Sequence, residues 1–431
     1  MKKYYTILFF CFACSCFSTT PVHAQFWKKI FKKEEKSKPK KNNNNKKTTK
    51  KDEPKLKQKK EPEYDERDLK EVYRIDVLLP LQLNSLVQNG KPVYSKVPEH
   101  LQQSLSFYEG ISIAADSLKT KRYKIELYVH DISNATSTIA QLTTRRVLDS
   151  SDLIIGSLQS PDIPAIATFA KKHKINFISA LSPSDAGVKD NPYFVLLQPT
   201  LKTHLRQLIK YADKKFNRSP KFIFHSSATA GEKEAYNQLT DALADEKHLD
   251  AVDCSAKIPD SAAMAKMFRK NEVNVVFIGI LETAKAEQVL NVIATLPREY
   301  RFEIFGMPSW KSMRGLSQSS AYMGMSIYYT SPFYFDPTTG PGRYINTAYK
   351  NNFGGSPNEM VYRGYETLYW TASLLDKYGP VFNRHISDVS AAQFTRYDIE
   401  YSWSKDNDFQ YLENNKLYII HYQNGGFVVE E

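Results

Sequence analysis

Residues 154–200 read IIGSLQSPDIPAIATFAKKHKINFISALSPSDAGVKDNPYFVLLQPT. Leu153–Gly156 is a short apolar run of strand length, ending in glycine. Ser160-Pro161 follows as a helix start, with Ser as N-cap and Pro at the first helical position. Ile163, Ile166, Ala167 and Ala170 then recur on one helical face, predicting a helix over 161–173. Two further β-rich runs, Ile175–Ser179 and Tyr193–Leu197, complete the stretch. Strand, helix, strand at this spacing is the unit of a parallel sheet with right-handed crossovers.

The same rhythm extends in both directions. Upstream, Tyr73–Leu79 and Tyr123–His130 predict strands. Between them Leu101, Leu105, Tyr108, Ile111, Ala115 and Leu118 mark one helical face, and another helix is expected near 136–148. Downstream, a helix carries Leu201, Leu205, Leu208, Ala212 and Phe216, followed by a strand at Lys221–His225. A helix with Ala235, Tyr236, Leu239, Ala242 and Leu243 comes next. Strands at Asn274–Ile280 and Arg301–Phe305 bracket a helix with Val289, Leu290, Ile293 and Leu296. Two such series define an α/β protein of two Rossmann-like lobes rather than one barrel. The last third departs from the rhythm. A helix over 358–378 carries Val361, Tyr365, Leu368, Ala372 and Leu375 and stops at Gly379-Pro380. Short strands follow at Arg396–Ser402, Lys416–Tyr422 and Gly426–Val429, the last two joined by Asn424-Gly425-Gly426.

The chain has 431 residues with 59 Lys and Arg against 47 Asp and Glu. The excess is confined to the start: residues 25–64 hold 16 Lys against 6 acidic residues, and residues 65–431 balance. A basic nucleic-acid-binding fold is therefore not implied, and no nucleic-acid partner is expected. Residues 1–24 read as an export signal, with Lys2 and Lys3, an apolar run from Ile7 to Phe17, and Val22-His23-Ala24 before a cut at Gln25. An uncleaved anchor and a lipoprotein acylated at Cys14 or Cys16 are the alternatives. No run is long enough for a polytopic membrane protein.

Phe26, Trp27, Ile30 and Phe31 among Lys28, Lys29, Lys32 and Lys33 fit either a short helix on an anionic membrane surface or an unstructured mature terminus. The Lys- and Asn-rich segment from Lys36 to Glu63 reads as a flexible tether. A solvated spacer is the default reading, with anionic envelope polymers or lipid headgroups as the partners its Lys run would favour, and order is expected to begin near Leu69.

Catalytic and metal signatures are missing. There is no G-x-S-x-G, H-E-x-x-H, Walker A loop or G-x-G-x-x-G. The nine histidines stand apart from one another, and Cys254 is the one cysteine beyond the leader, where a buried structural thiol is expected. No enzyme activity, metal or cofactor is expected. What the strand ends do carry is hydroxyls. The loops are Gly156–Ser160, Ser179–Ser184, His225–Thr229, Gly279–Thr283 and Gly306–Trp310. Ligands of open parallel sheets bind outside the carboxyl ends of the strands. Ser157, Ser160, Ser182, Ser184, Ser227 and Thr229 are thus candidate ligand groups, and Trp310 is a candidate aromatic cover.

The 154–200 stretch resembles the first lobe of type I periplasmic binding proteins, in particular the branched-chain amino-acid receptor group of ABC transporters. YRGYETLYWTASLLDKYG (362–379) resembles that family's return helix, and the likeness runs over roughly 72–430. The resemblance implies that Ser157, Ser160, Ser182 and Ser184 grip an amino acid's carboxylate and ammonium groups. Glu282 would supply a carboxylate to the ammonium. The second lobe departs from the pattern at Ser226–Thr229 and at Pro308–Trp310, which bears on amino-acid specificity.

The expected organisation is a leader (1–24), a basic tether (25–70), lobe 1 (71–198), lobe 2 (199–330), a return to lobe 1 (331–380) and C-terminal strands mainly in lobe 2 (381–431). Hinge crossings are expected near 198–200, 330–336 and 380–392. The expected function is an exported solute-binding protein that closes on a small polar, amino-acid-like ligand for a membrane permease. A regulatory or scaffolding envelope protein on the same fold is the first alternative, and an enzyme, disfavoured by the missing signatures, is the second.

Overall fold

The computed structural model describes residues 57–244, 246, 249–318 and 322–430. The expected leader and most of the basic segment lie outside the described residues. Two seven-stranded sheets organise the rest. The first contains β1 (Tyr73–Leu79), β2 (Ile125–Asp131), β3 (Leu153–Gly156), β4 (Asn176–Ser179) and β5 (Phe194–Leu196). The second contains β6 (Lys221–His225), β7 (Leu249–Asp253), β8 (Val273–Gly279), β9 (Arg301–Gly306) and β10 (Ser326–Ser331). Four late strands complete them: β11 (Ile399–Trp403), β12 (Phe409–Asn414), β13 (Tyr418–Gln423) and β14 (Gly426–Glu430). The orders are β11-β12-β5-β4-β3-β1-β2 and β14-β13-β10-β9-β8-β6-β7.

Within each sheet the early strands are all parallel, with registers such as Ile75↔Leu153, Leu153↔Asn176 and Val275↔Lys221. Parallel strands covered on both faces need continuous apolar character, and β3 and β6 are buried at every position. β12 joins the first sheet parallel to β5 (Leu412↔Val195), and β11 returns antiparallel to β12. β13 runs antiparallel to β10 and β14 antiparallel to β13. The C-terminal strands therefore divide two and two between the sheets, where the sequence suggested mainly the second lobe.

The chain crosses between sheets after β5, after β10 and between β12 and β13. The third crossing is at 415–417 rather than 380–392. Residues near 383 belong instead to the first lobe, where the Asn383 amide donates to the Pro192 carbonyl at 2.7 Å and Asn176 donates to the Asn383 side-chain oxygen at 2.9 Å.

Helices cover the sheets. α1 (Glu99–Thr120) and α9 (Glu359–Tyr378) pack on one face of the first sheet, and α2 (Ile139–Thr144) and α3 (Ile163–His173) on the other. α4 (Leu201–Phe216), α5 (Ala230–Ala242), α6 (Ser261–Met267) and α7 (Thr283–Ala294) serve the second, and α8 (Gly340–Phe353) precedes α9. α1 and α9 meet through glycines. A Cβ on Gly110 would stand 1.9 Å from the Val361 carbonyl oxygen, and one on Gly364 would stand 2.0 Å from that of Phe107. Only hydrogen at both positions lets the two backbones approach this closely.

Order begins earlier than Leu69. Tyr64 is 6% exposed, its ring edge-on to Tyr193 with centroids 5.9 Å apart. The Asn407 amide donates to the Lys57 carbonyl at 2.8 Å, and Lys57 pairs with Asp408 at 2.9 Å. Lys59 lies over Trp403, Asp65 pairs with Lys174, and Arg67 donates to the His173 carbonyl. Residues 57–69 are thus a strap along the first lobe, anchored by a tyrosine that the Lys-rich composition around it obscures.

Candidate functional site

The carboxyl edge of the first sheet is built from backbone bonds that continue the strands into their loops. The Ser157 N–H donates to the Leu78 carbonyl, and the Ala180 N–H to that of Gly156. The loops leaving β3 and β4 are then tied by their hydroxyls, Ser160 Oγ and Ser184 Oγ lying 3.0 Å apart. Ser182 is 2% exposed and its Oγ accepts the Ser184 N–H at 3.3 Å, while Ser184 Oγ accepts the Ala186 N–H at 3.1 Å. Asp185 continues the turn by accepting the Gly187 N–H at 2.9 Å and the Tyr411 hydroxyl at 2.9 Å. Such side chain-to-backbone bonds fix a loop that has no ladder to hold it. Ser157, Ser160, Ser182 and Ser184 therefore lie in two adjacent loops. Ser160 is not the N-cap expected of it. The helix starts at Ile163, Asp162 takes the flanking position, and the turn before it frees the Ser160 hydroxyl for Ser184.

The second sheet's carboxyl edge is arranged differently. Ser227 Oγ donates to Asp253 and lies 3.0 Å from Ser255 Oγ, and the two serine bonds hold the Asp253 carboxyl far below its usual range. Thr229 N-caps α5, accepting the Glu232 N–H at 3.2 Å. Glu232, buried in the first turn of that helix, accepts the N–H groups of Leu281 (3.0 Å) and Glu282 (3.1 Å). Burial pushes its pKa up against those bonds. Glu282 itself is exposed beside this clamp. Trp310 is 1% exposed and lies against Gly306, where a Cβ would meet its ring at 2.2 Å. Its ring belongs to the core of the second lobe, so the expectation that it covers a ligand is not met in this conformation. An aromatic just after a strand-end glycine reads equally as a cover or a wedge, and here the missing Cβ of Gly306 admits the wedge.

The two carboxyl edges meet through charges that the sequence reading passed over. Lys311, in the turn after β9, pairs with Glu359 at the start of α9. Glu359 also lies 3.9 Å from Arg363 one turn on. Arg363 Nη2 donates to the Gln198 side-chain oxygen at 2.7 Å and to the Ala180 carbonyl at 3.3 Å. A lone arginine in the apolar first turns of α9 was the available signal. The crossing after β5 is pinned separately, Glu413 of β12 accepting the Thr200 N–H at 2.8 Å and its hydroxyl at 2.9 Å. A cavity of about 950 Å³ opens beside this crossing. Lys59 and Glu61 of the strap and Tyr401 and Trp403 line it, with Arg206 and Gln238 from the second lobe. It reaches the expected hydroxyl set only at Ser184. Among the described residues no cluster of His, Cys, Asp and Glu could hold a metal ion, and no helix is long and apolar enough to cross a membrane.

Two α/β sheets joined by three crossings, with loops meeting at their carboxyl edges, define the two-lobed class of solute receptors. The model of the periplasmic binding protein family matches residues 103–386, and the chain belongs to that family. No curated protein matches the sequence. Among solved structures, the chain is similar to a candidate branched-chain amino acid ABC transporter from Rhodospirillum rubrum. The identity there is 11% and the TM-score 0.60, over 83% of this chain and 100% of that one. A periplasmic ligand-binding protein of a branched-chain amino acid ABC transporter from Burkholderia xenovorans LB400 is similar at 13% identity and TM-score 0.54, over 83% and 94%. A substrate-binding protein from Desulfitobacterium hafniense, solved in complex with Leu, is similar at 14% identity and TM-score 0.50, over 84% and 100%. At these identities the likeness is one of fold.

Proposed function

We propose that the protein is an exported, non-catalytic receptor that captures a small, amino-acid-like solute between its two carboxyl edges and presents it to an ABC-type permease. The observation that carries this reading is the Lys311–Glu359 pair. It brings the loop after β9 and the start of the return helix together, beside the hydroxyl loops of the first sheet. A solute seated there touches both lobes, and its binding favours the closed arrangement because contacts on both sides are made only then. Ser157, Ser160, Ser182 and Ser184 are the groups proposed to line the first lobe's side, with Ser227, Thr229 and Glu282 on the other.

The test is a thermal-shift and calorimetric screen of the full chain against L-leucine, L-isoleucine, L-valine, polar amino acids, sugars and cell-wall fragments. A solute at 100 times its dissociation constant adds about 2.7 kcal/mol to stability, well within detection. Ser182→Ala then weakens a binding solute roughly ten- to hundredfold, as expected for a hydrogen bond to a charged group, while Ser179→Ala leaves affinity unchanged. A screen without any hit removes the receptor reading and favours a scaffolding role.

A further inference from the structure

The return helix carries one guanidinium into the junction of hinge and cleft. The Arg363 side chain is 13% exposed, and its partners come from three parts of the fold. Ala180 opens the loop that carries Ser182 and Ser184. Gln198 lies on the first crossing, and the Phe333 ring, 5.8 Å from the guanidinium, lies on the second. The two hydrogen-bond partners are neutral. Among the described residues the carboxylate paired with it is Glu359, 3.9 Å away and shared with Lys311 across the lobes. A guanidinium has five N–H donors in a fixed fork, and burial penalises it unless an anion completes the set. That penalty is visible as a lowered pKa, with burial its leading cause and Glu359 opposing it. Lys311 and Arg363 together outnumber the single carboxylate they share. The site is electrically suited to one further negative group, and a carboxylate fits the fork in two-point fashion.

We infer that Arg363 is a specificity-determining residue that pairs with a carboxylate of the captured solute, selecting anionic or zwitterionic solutes over their neutral counterparts. The inference rests on the solute-receptor reading and names the chemistry that reading leaves open. The serine hydroxyls of the neighbouring loops are then left to the solute's other polar groups. Because Arg363 touches both the Ser182 loop and the first crossing, the same pairing also joins the solute to the hinge.

Calorimetry on the full chain with matched pairs tests it: L-leucine against L-leucinamide, succinate against succinamide, and benzoate against benzamide. The parent protein is expected to prefer the carboxylate of at least one pair by about tenfold or more, the yield of a charge-assisted bond. Arg363→Gln is expected to collapse that preference to within about threefold, and Arg363→Lys to restore part of it. An Arg363 that merely props the hinge would lower affinity for both members alike and leave the preference standing, which overturns the inference while sparing the receptor reading. A parent that prefers the amides overturns it as well. A parent that binds no member of this panel or of the wider screen sinks both readings together. Should Arg363→Gln fail to fold, Arg363→Lys decides: it keeps the charge but loses the fork, and an undiminished carboxylate preference in it refutes two-point pairing.

Discussion

Gly364→Ala pits two known effects against each other. In a helix interior, alanine is favoured over glycine by about 1 kcal/mol, so propensity alone predicts a more stable protein. The structure predicts the reverse. The new methyl would sit 2.0 Å from the Phe107 carbonyl oxygen and 2.9 Å from its carbon, far inside contact distance, and both obstacles are backbone of the facing helix. A side chain can rotate away, but a helical carbonyl moves only with its helix. α1 and α9 must separate, opening the core that Phe107, Ile111, Val361, Tyr365 and Leu368 share. Overpacking of this kind costs about 1–3 kcal/mol, occasionally more, and rigid obstacles place it at the upper end. After the gain in propensity, a net loss of about 2 kcal/mol remains, or roughly 4–8 °C in the melting temperature of a lobe of this size. Gly340→Ala is the control, since nothing lies within 4 Å of its added methyl. Differential scanning calorimetry of both variants decides the matter. An unchanged or raised melting temperature for Gly364→Ala would show that the helices do not need glycine at their crossing.

Three further outcomes follow from particular side chains. Glu366 is fully buried, and burial pushes its pKa up to about 8 despite the N–H bonds it accepts from Gln393 and Phe394. The folded state therefore holds a proton that the unfolded chain releases near 4.5. Stability falls as pH rises from about 4.5 to about 8, and Glu366→Gln flattens that slope in denaturant titrations at stepped pH. Removing the strap is costly: a form starting at Leu69 loses the Tyr64 burial, worth about 2 kcal/mol, and melts below a form starting at Lys57, whereas equal melting would assign the strap no role in stability. Cys254 is fully buried with its thiol pushed up to about 11, chiefly by burial. A thiol reagent is expected to label it only after denaturation, and rapid labelling of the native protein would contradict its placement.

The sequence exposed the parts of the fold whose apolar pattern is strong. β1, β3 and β6 have the limits read from their residues alone, because strands buried on both faces cannot disguise their composition. α8 escaped notice because Gly340-Pro341-Gly342 reads as a turn, and only Gly342 and Ile345 of that helix are buried. Its Thr339 N-cap was the legible signal. β12 escaped because Glu413 and Asn414 look like loop residues, yet both are buried. Glu413 holds Thr200 at the first crossing, and the Asn414 amide donates to the Leu197 carbonyl. The candidate site was legible as a set of hydroxyls at strand ends, since that follows from chain order. The partners of each hydroxyl were not. Whether Ser160 caps a helix or meets Ser184, and whether Trp310 faces a ligand or fills the space above Gly306, depends on distances between segments far apart in sequence. Arg363 was hidden for the same reason, since its partners come from Ala180, Gln198 and Phe333.

The even division of the last four strands between the two sheets has a consequence for how the molecule comes into being. β5 and β10 were already in place hundreds or scores of residues earlier, yet each presents an unpaired edge until the final segment arrives to cover it. A nascent chain lacking residues after about 398 would carry two raw sheet edges at once, the feature that most readily recruits other chains. Neither lobe is complete until the final segment arrives, because that one short stretch must seal both, first β12 against β5 and then β13 against β10. Lobes drawn as separate units are in this sense sewn shut with a single thread, and a premature stop near the end of the message should yield aggregate rather than a half-functional receptor.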